Sequence, residues 1–243
     1  MARARANRGA DRLARVLCTS RDGFHTLPRM SQQTSESIDR LFAAAAELRG
    51  LVNLFCDRHL DDDLLDKVRQ VARELTAKIE QAPQWDRQGV LEASLVSPDS
   101  ELGQRTGFPY RAIAGPANPS ATPMTREFAT DVVTSEFTFE PMHSGAPGRG
   151  HGGVLAGVLD EFAGAAPRLV GVMAATARLT VNYRAPIPMG VPLQLRVWVH
   201  ERDGRKIHVH GDAHNGENLI ADLEALFIEI DYGAIDTSGA ARH

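Results

Sequence analysis

The sequence predicts an α+β domain in which an antiparallel sheet wraps one central helix, preceded by a pair of helices. Three observations carry this reading. Two stretches near the start repeat apolar residues every three or four positions. One glycine-led apolar segment of helix length, GRGHGGVLAGVLDEFAG (148–164), lies mid-chain, and the β-patterned runs that follow it have no further helix between them. Parallel βαβ winding would need those helices. At 243 residues and 43% apolar content the chain can fill one sizeable core and still carry an extension. The expected organisation is a leader at 1–29, a helical extension at 30–84, a linker or entrance loop at 85–125, the main domain at 126–232 and a tail at 233–243.

The leader contains seven arginines against Asp11 and Asp22, with no apolar run suited to a secretory signal or a membrane span. It reads as a disordered segment or as sequence ahead of a start at Met30, with an Arg-rich transit peptide as the alternative, and the fold should not need it. From Ser37, the residues Ile38, Leu41, Phe42, Ala45, Leu48, Val52 and Phe55 form a helical stripe. A short turn near His59 leads to a second helix. Asp61 or Asp62 can cap it, Leu64, Leu65, Val68, Val71, Ala72, Leu75 and Ile79 form its stripe, and Pro83 ends it. The pair is expected to bury these stripes on each other or on the main domain.

Periodicity then disappears up to Pro123, in sequence such as GPANPSATP (115–123). Val132, Val133, Phe137 and Phe139 mark a strand before Pro141. After the glycine-led helix, strands are expected at Thr176–Arg184, Leu193–Glu201, Lys206–His214 and Leu219–Asp231, the last three joined as hairpins at Asp203-Gly204 and Asn215-Gly216. In the first of these strands, alternation places Thr176, Arg178, Thr180, Asn182 and Arg184 on one face and Ala177, Leu179, Val181 and Tyr183 on the other. The net charge of −4 gives no reason to expect nucleic acid, and two cysteines, Cys18 and Cys56, fit a reducing, cytoplasmic setting without a disulfide framework.

Gly148, Gly150 and Gly153 satisfy G-x-G-x-x-G, but a dinucleotide site also needs an acid about twenty residues on, at the end of a second strand. From Ala163 to His200 there is no Asp or Glu. A phosphate-cradling P-loop fails as well, because no Gly-Lys-Ser/Thr follows the glycines. Read instead as a helix starting at Gly152, the segment puts Asp160 on a strip of small residues with Gly153, Ala156, Gly157, Ala163 and Gly164. Such a strip admits close approach of a backbone or a thin ligand chain. His208, His210 and His214 alternate along a strand as a half-buried sheet requires, so no metal site is assigned to them.

His151-Gly-Gly153, the six residues after it and Asp160, followed by TARLTVNYRAPIP (176–188), resemble the hotdog-fold acyl-CoA thioesterases of the phenylacetic-acid-pathway type, in their thioesterase-superfamily branch. The resemblance covers roughly residues 100 to 232 and excludes the helical pair. It implies a sheet wrapped on one long helix, a homodimer or dimer of dimers that joins its sheets, and acyl-CoA bound at the dimer interface in fatty-acid metabolism, with no separate cofactor. It further implies that Asp160 activates water or attacks the thioester, that the amide of Gly152 or Gly153 polarises the carbonyl, that His151 shapes the turn and that Thr176 positions the water. Asn182, Arg184, Arg205 and Lys206 would contact the CoA portion. The chemistry agrees with these roles, since a thioester needs only a base beside a water and donors for the developing oxyanion. A rise of 1.5 Å per residue sets Asp160 about 12 Å along the axis from Gly152, so one thioester would meet the helix start of one chain and Asp160 of another. A non-catalytic acyl-CoA-binding protein and a hotdog dehydratase using Glu161 are the alternatives.

Overall fold

Helix α1 runs over Gln32–Asp57 and α2 over Asp62–Ile79 in the computed structural model, which describes residues 32–84 and 109–230. The leader, residues 85–108 of the expected linker and the tail lie outside the described residues. Residues 32–40, the start of α1, belong to a unit separate from the one that begins at Leu41. Asp61 caps α2, its side chain accepting the Leu64 N–H at 2.8 Å.

The main domain contains β1 (Glu127–Phe128), β2 (Val133–Thr138), helix α3 (Gly152–Ala163), β3 (Ala174–Tyr183), β4 (Pro192–Asp203), β5 (Lys206–Asn215) and β6 (Asn218–Glu229). One antiparallel sheet has the order β1-β2-β4-β5-β6-β3, which leaves β3 as an edge. The β4–β5 and β5–β6 hairpins turn at Gly204 and Gly216, whose φ of +56° and +59° lies where a side chain is strained. Along α3, Leu155, Val158, Leu159 and Phe162 are fully buried in one cluster with Leu193, Leu195, Val197, Ile207, Val209, Leu223 and Phe227 of the sheet. Each such apolar side chain contributes roughly 1.5–3 kcal/mol, which offsets the propensity cost of a glycine-rich helix.

The helical pair departs from the expectation that its stripes are buried. No residue of α2 is buried, and Leu64, Val71, Leu75 and Ile79 are exposed, as are Leu48, Leu51, Val52, Leu54 and Phe55 of α1. A different face of α1 meets the domain. Ala45, Arg49 and Asn53 lie four residues apart, Ala45 buried, Arg49 donating to the carbonyls of Ala121 and Asn118, and Asn53 bonding Glu140 and the Met142 N–H. This contact is polar. Its target, residues 109–125, closes on itself through Ala117 N–H to Pro109 O (2.9 Å), Gly115 N–H to Arg111 O (3.1 Å) and Thr122 N–H to Ile113 O (2.9 Å).

His143 joins these parts. It is buried between Phe137 and Phe139, its Nδ1 accepts the Glu140 N–H at 3.0 Å, and its Nε2 lies 3.2 Å from Thr122 Oγ1. Burial lowers its pKa, opposed only in part by Glu140. Because the folded value lies below the ordinary one near 6.5, the neutral ring's stabilisation is present above that pH and fades as pH falls through it. Thermal midpoints of the wild type should therefore drop between pH 7 and 5 by more than those of His143→Asn. Equal drops would show that His143 titrates as it does unfolded.

Candidate active site

Helix α3 begins at His151, whose extended backbone caps it and whose Nδ1 accepts the Gly153 N–H at 3.0 Å. The Gly153 amide is thereby engaged, while the Gly152 N–H has no partner among the described residues. Tyr183 of β3 donates its hydroxyl to Gly152 O at 2.7 Å. A Cβ added at Gly152 would sit 3.4 Å from that phenol ring, so the ring lies flush with the helix start. At the other end of α3, Thr176 Oγ1 donates to Asp160 Oδ1 at 2.9 Å. Asp160 is half-buried, and Thr176 is exposed in the single chain.

That contact corrects the strand reading. Register shifts between Thr176 and Arg178, leaving Ala177 as an extra residue. Directly opposed residues of an antiparallel pair share a face. Thr176 opposes the core residue Phe227 and faces the helix with Leu179, Val181 and Tyr183, whereas Arg178, Thr180 and Asn182 oppose Leu226, Glu224 and Asp222 on the outer face. The bulge moves Thr176 across the sheet to Asp160. A single polar face from Thr176 to Arg184 does not exist.

The residues expected to contact CoA fall into two groups. Asn182 donates to Asp222 Oδ1 at 2.8 Å and Arg184 Nε to Asp222 Oδ2 at 2.5 Å, and the guanidinium holds that carboxyl below its ordinary range. Arg205 donates to Glu229 O at 2.9 Å from the β4–β5 turn, and Lys206 is exposed beside it, opposite Ile228. The two groups are separated by the length of β6 from Ala221 to Ile228, roughly 23 Å. Arg205 and Lys206 belong to the Thr176 end, Asn182 and Arg184 to the Tyr183 end.

Glu161, adjacent to Asp160, has a different environment. Arg126 donates to its Oε1 at 2.8 Å. Arg111 Nε lies 2.9 Å away but out of line for a hydrogen bond, so that contact is ionic. Desolvation pulls the Arg111 pKa down, and Glu161 opposes this only in part. Ile113, two residues beyond Arg111, seats its Cδ1 2.9 Å from where a Gly157 Cβ would be. The small-residue strip is thus partly filled by the chain itself. On the outer face His208, His210, Asp212 and His214 alternate as expected, with His210 stacked on His200 at 4.1 Å and Asp212 paired to Arg196 at 2.7 Å, across the sheet from Asp160.

Residues 148–221 match the family model described as the thioesterase superfamily. A solved structure described as a thioesterase superfamily protein superposes with a TM-score of 0.63 at 26% identity, over 83% of this chain and 92% of that one. The fold is the hotdog fold of the thioesterase superfamily, and residues 148–221 are the stretch similar to that superfamily. Among curated proteins, the chain is similar to acyl-coenzyme A thioesterase THEM4 of Xenopus laevis, 36% identical over 37% of this chain and 41% of that protein. It is also similar to the Mus musculus protein of that name, 33% identical over 36% and 38%. The matched stretch spans about two fifths of the length of these curated relatives. No helix among the described residues is long and apolar enough to cross a membrane.

Two carboxylates side by side in sequence should answer differently to neutralisation. Glu161→Gln leaves two largely enclosed guanidiniums facing an amide and should cost roughly 1–3 kcal/mol of stability. Asp160→Asn keeps an oxygen for the Thr176 hydroxyl and should cost under about 1 kcal/mol. Urea denaturation of both variants tests this, and an Asp160→Asn loss equal to or larger than that of Glu161→Gln would contradict it.

Proposed function

We propose that this chain hydrolyses acyl-CoA thioesters, with Asp160 as the carboxylate and a site shared by two copies of the chain. The observation that carries the reading is the Thr176–Asp160 hydrogen bond inside a thioesterase-superfamily domain. Thr176 occupies Oδ1 of Asp160 and fixes the carboxylate plane, which leaves Oδ2 to take a proton from water or to attack the carbonyl carbon. Thr176 therefore acts on Asp160 itself, in addition to any role toward water. The Gly152 N–H, at the positive end of α3 and not engaged by His151, is the donor for the thioester oxygen. His151 keeps the Gly153 amide occupied and the turn in place.

Gly152 and Asp160 of one chain are too far apart for one carbonyl, so the open edge β3 is the natural seam for a second copy running antiparallel. Such a homodimer brings the Tyr183 end of one chain to the Thr176 end of the other. It also brings Asn182 and Arg184 of one chain near Arg205 and Lys206 of its partner, around one CoA. Of these, Lys206 has no ion-pair partner among the described residues, and Arg184 would have to leave Asp222 to meet a phosphate. A cytoplasmic setting is part of the same proposal, supported by a cysteine count too low for a disulfide framework.

The dehydratase alternative needs a free Glu161, and Arg111 and Arg126 hold that carboxylate instead. Steady-state hydrolysis of a panel of short, medium, long and aromatic acyl-CoAs tests the proposal. Asp160→Asn should lower kcat by about 10²-fold or more, and Glu161→Gln by only a few-fold relative to its folded fraction. Lys206→Ala should raise KM for every acyl-CoA by a similar factor, as loss of uniform binding does. Saturable CoA-thioester binding with no turnover would instead establish a binding protein.

A further inference from the structure

We propose that Ile113 sets the bulk of the acyl group that the site accepts, a reading that rests on acyl-CoA hydrolysis at Asp160. Residues 109–125 reach α3 through Ile113 over Gly157 and Arg111 on Glu161. These are four residues apart and so form one row along the helix. At 100° per residue Asp160 lies about 60° from Gly157 on the side away from Glu161, in the neighbouring row with Gly153 and Ala156. Gly153 is exposed and Ala156 and Asp160 are half-buried. The strip is thus divided lengthwise. One row is covered by Ile113 at Gly157, and the other, along Gly153, Ala156 and Asp160, is left uncovered and on this reading is the acyl channel to the carboxylate.

Ile113 is the side wall of that channel, and the wall is braced. Its carbonyl accepts the Thr122 N–H at 2.9 Å, and the Thr122 hydroxyl lies 3.2 Å from buried His143. Arg49 of α1 holds the same loop at Asn118 and Ala121. Gly115 sits so close to the Arg111 backbone, 2.3 Å from where its Cβ would be, that the loop cannot accept a side chain there without opening. With the backbone fixed, the width of the channel follows the volume of residue 113. An apolar wall discriminates by steric fit, and one methylene of misfit changes kcat/KM by about 10- to 200-fold. The wall flanks the channel rather than ending it, so it acts on acyl cross-section more than on chain length. The polar contacts of α1 gain a role here, as the outer support of this wall.

The test is the ratio of kcat/KM for benzoyl-CoA to that for hexanoyl-CoA in the full chain, as wild type, Ile113→Val, Ile113→Ala and Ile113→Phe. The ratio should rise about tenfold in Ile113→Ala, rise less in Ile113→Val, and fall about tenfold in Ile113→Phe. A purely structural role would lower both substrates together and leave the ratio within about twofold across the series, and that result overturns the proposal. Ile113→Val keeps most of the packing volume, so a fold defect in Ile113→Ala does not remove the test. A wild type that hydrolyses neither thioester overturns the hydrolytic reading itself, which distinguishes the two failures.

Discussion

Helix α3 is tied at both ends to one edge strand, by Tyr183 at Gly152 and by Thr176 at Asp160. Everything at the candidate site depends on this double attachment. Packing of Leu155, Val158, Leu159 and Phe162 fixes which face of the helix meets the sheet, but apolar contact alone leaves sliding along the axis weakly opposed. Two hydrogen bonds to the same strand remove that freedom. The second depends on the extra residue at Ala177, because regular pleating would turn Thr176 away from the helix. The bulge converts a strand with polar residues on its outer face into one that delivers a hydroxyl to a carboxylate on the inner side.

The adjacent acids Asp160 and Glu161 show how one helical step separates roles. A rotation of 100° takes Glu161 to the row covered by residues 109–125, where Arg111 and Arg126 confine it, and leaves Asp160 in the open row. The glycines of α3 follow the same division. Gly157 admits Ile113, Gly152 admits the Tyr183 ring, and Gly153 lies on the open side. A glycine-rich helix is costly in isolation, and here the cost is met by close approach on two sides and by a fully buried third.

Much of this was legible in the sequence. Periodicities of three to four and of two placed the helices and the later strands, Asp61 announced the start of α2, and the glycine pairs announced the hairpins, because each of these signals is local. The bulge at Ala177 has no local signal, since alternation continues through it, and so alternation alone puts Thr176 on the wrong face. Alternation puts Tyr183 on the correct face, yet its bond to Gly152 arises only from tertiary packing. The exposed stripes of α1 and α2 mislead for the opposite reason. Apolar spacing promises burial somewhere, but the face of α1 that meets the domain carries Arg49 and Asn53, whose partners lie about seventy to ninety positions away.

The central claim is that one thioester is served by the helix start of one chain and Asp160 of another. Mixed dimers test it most directly. Gly152→Pro removes the amide donor at a helix position that tolerates proline, and Asp160→Asn removes the base. Each variant alone should be nearly inactive. Co-assembled in equal amounts, shared sites leave one intact site in each mixed dimer, so activity should recover to roughly a quarter of the wild type. If both groups served a thioester within one chain, every site in the mixture would carry a defect. Mixtures no more active than the separate variants, with mixed dimers demonstrated by differential tagging, would contradict the account.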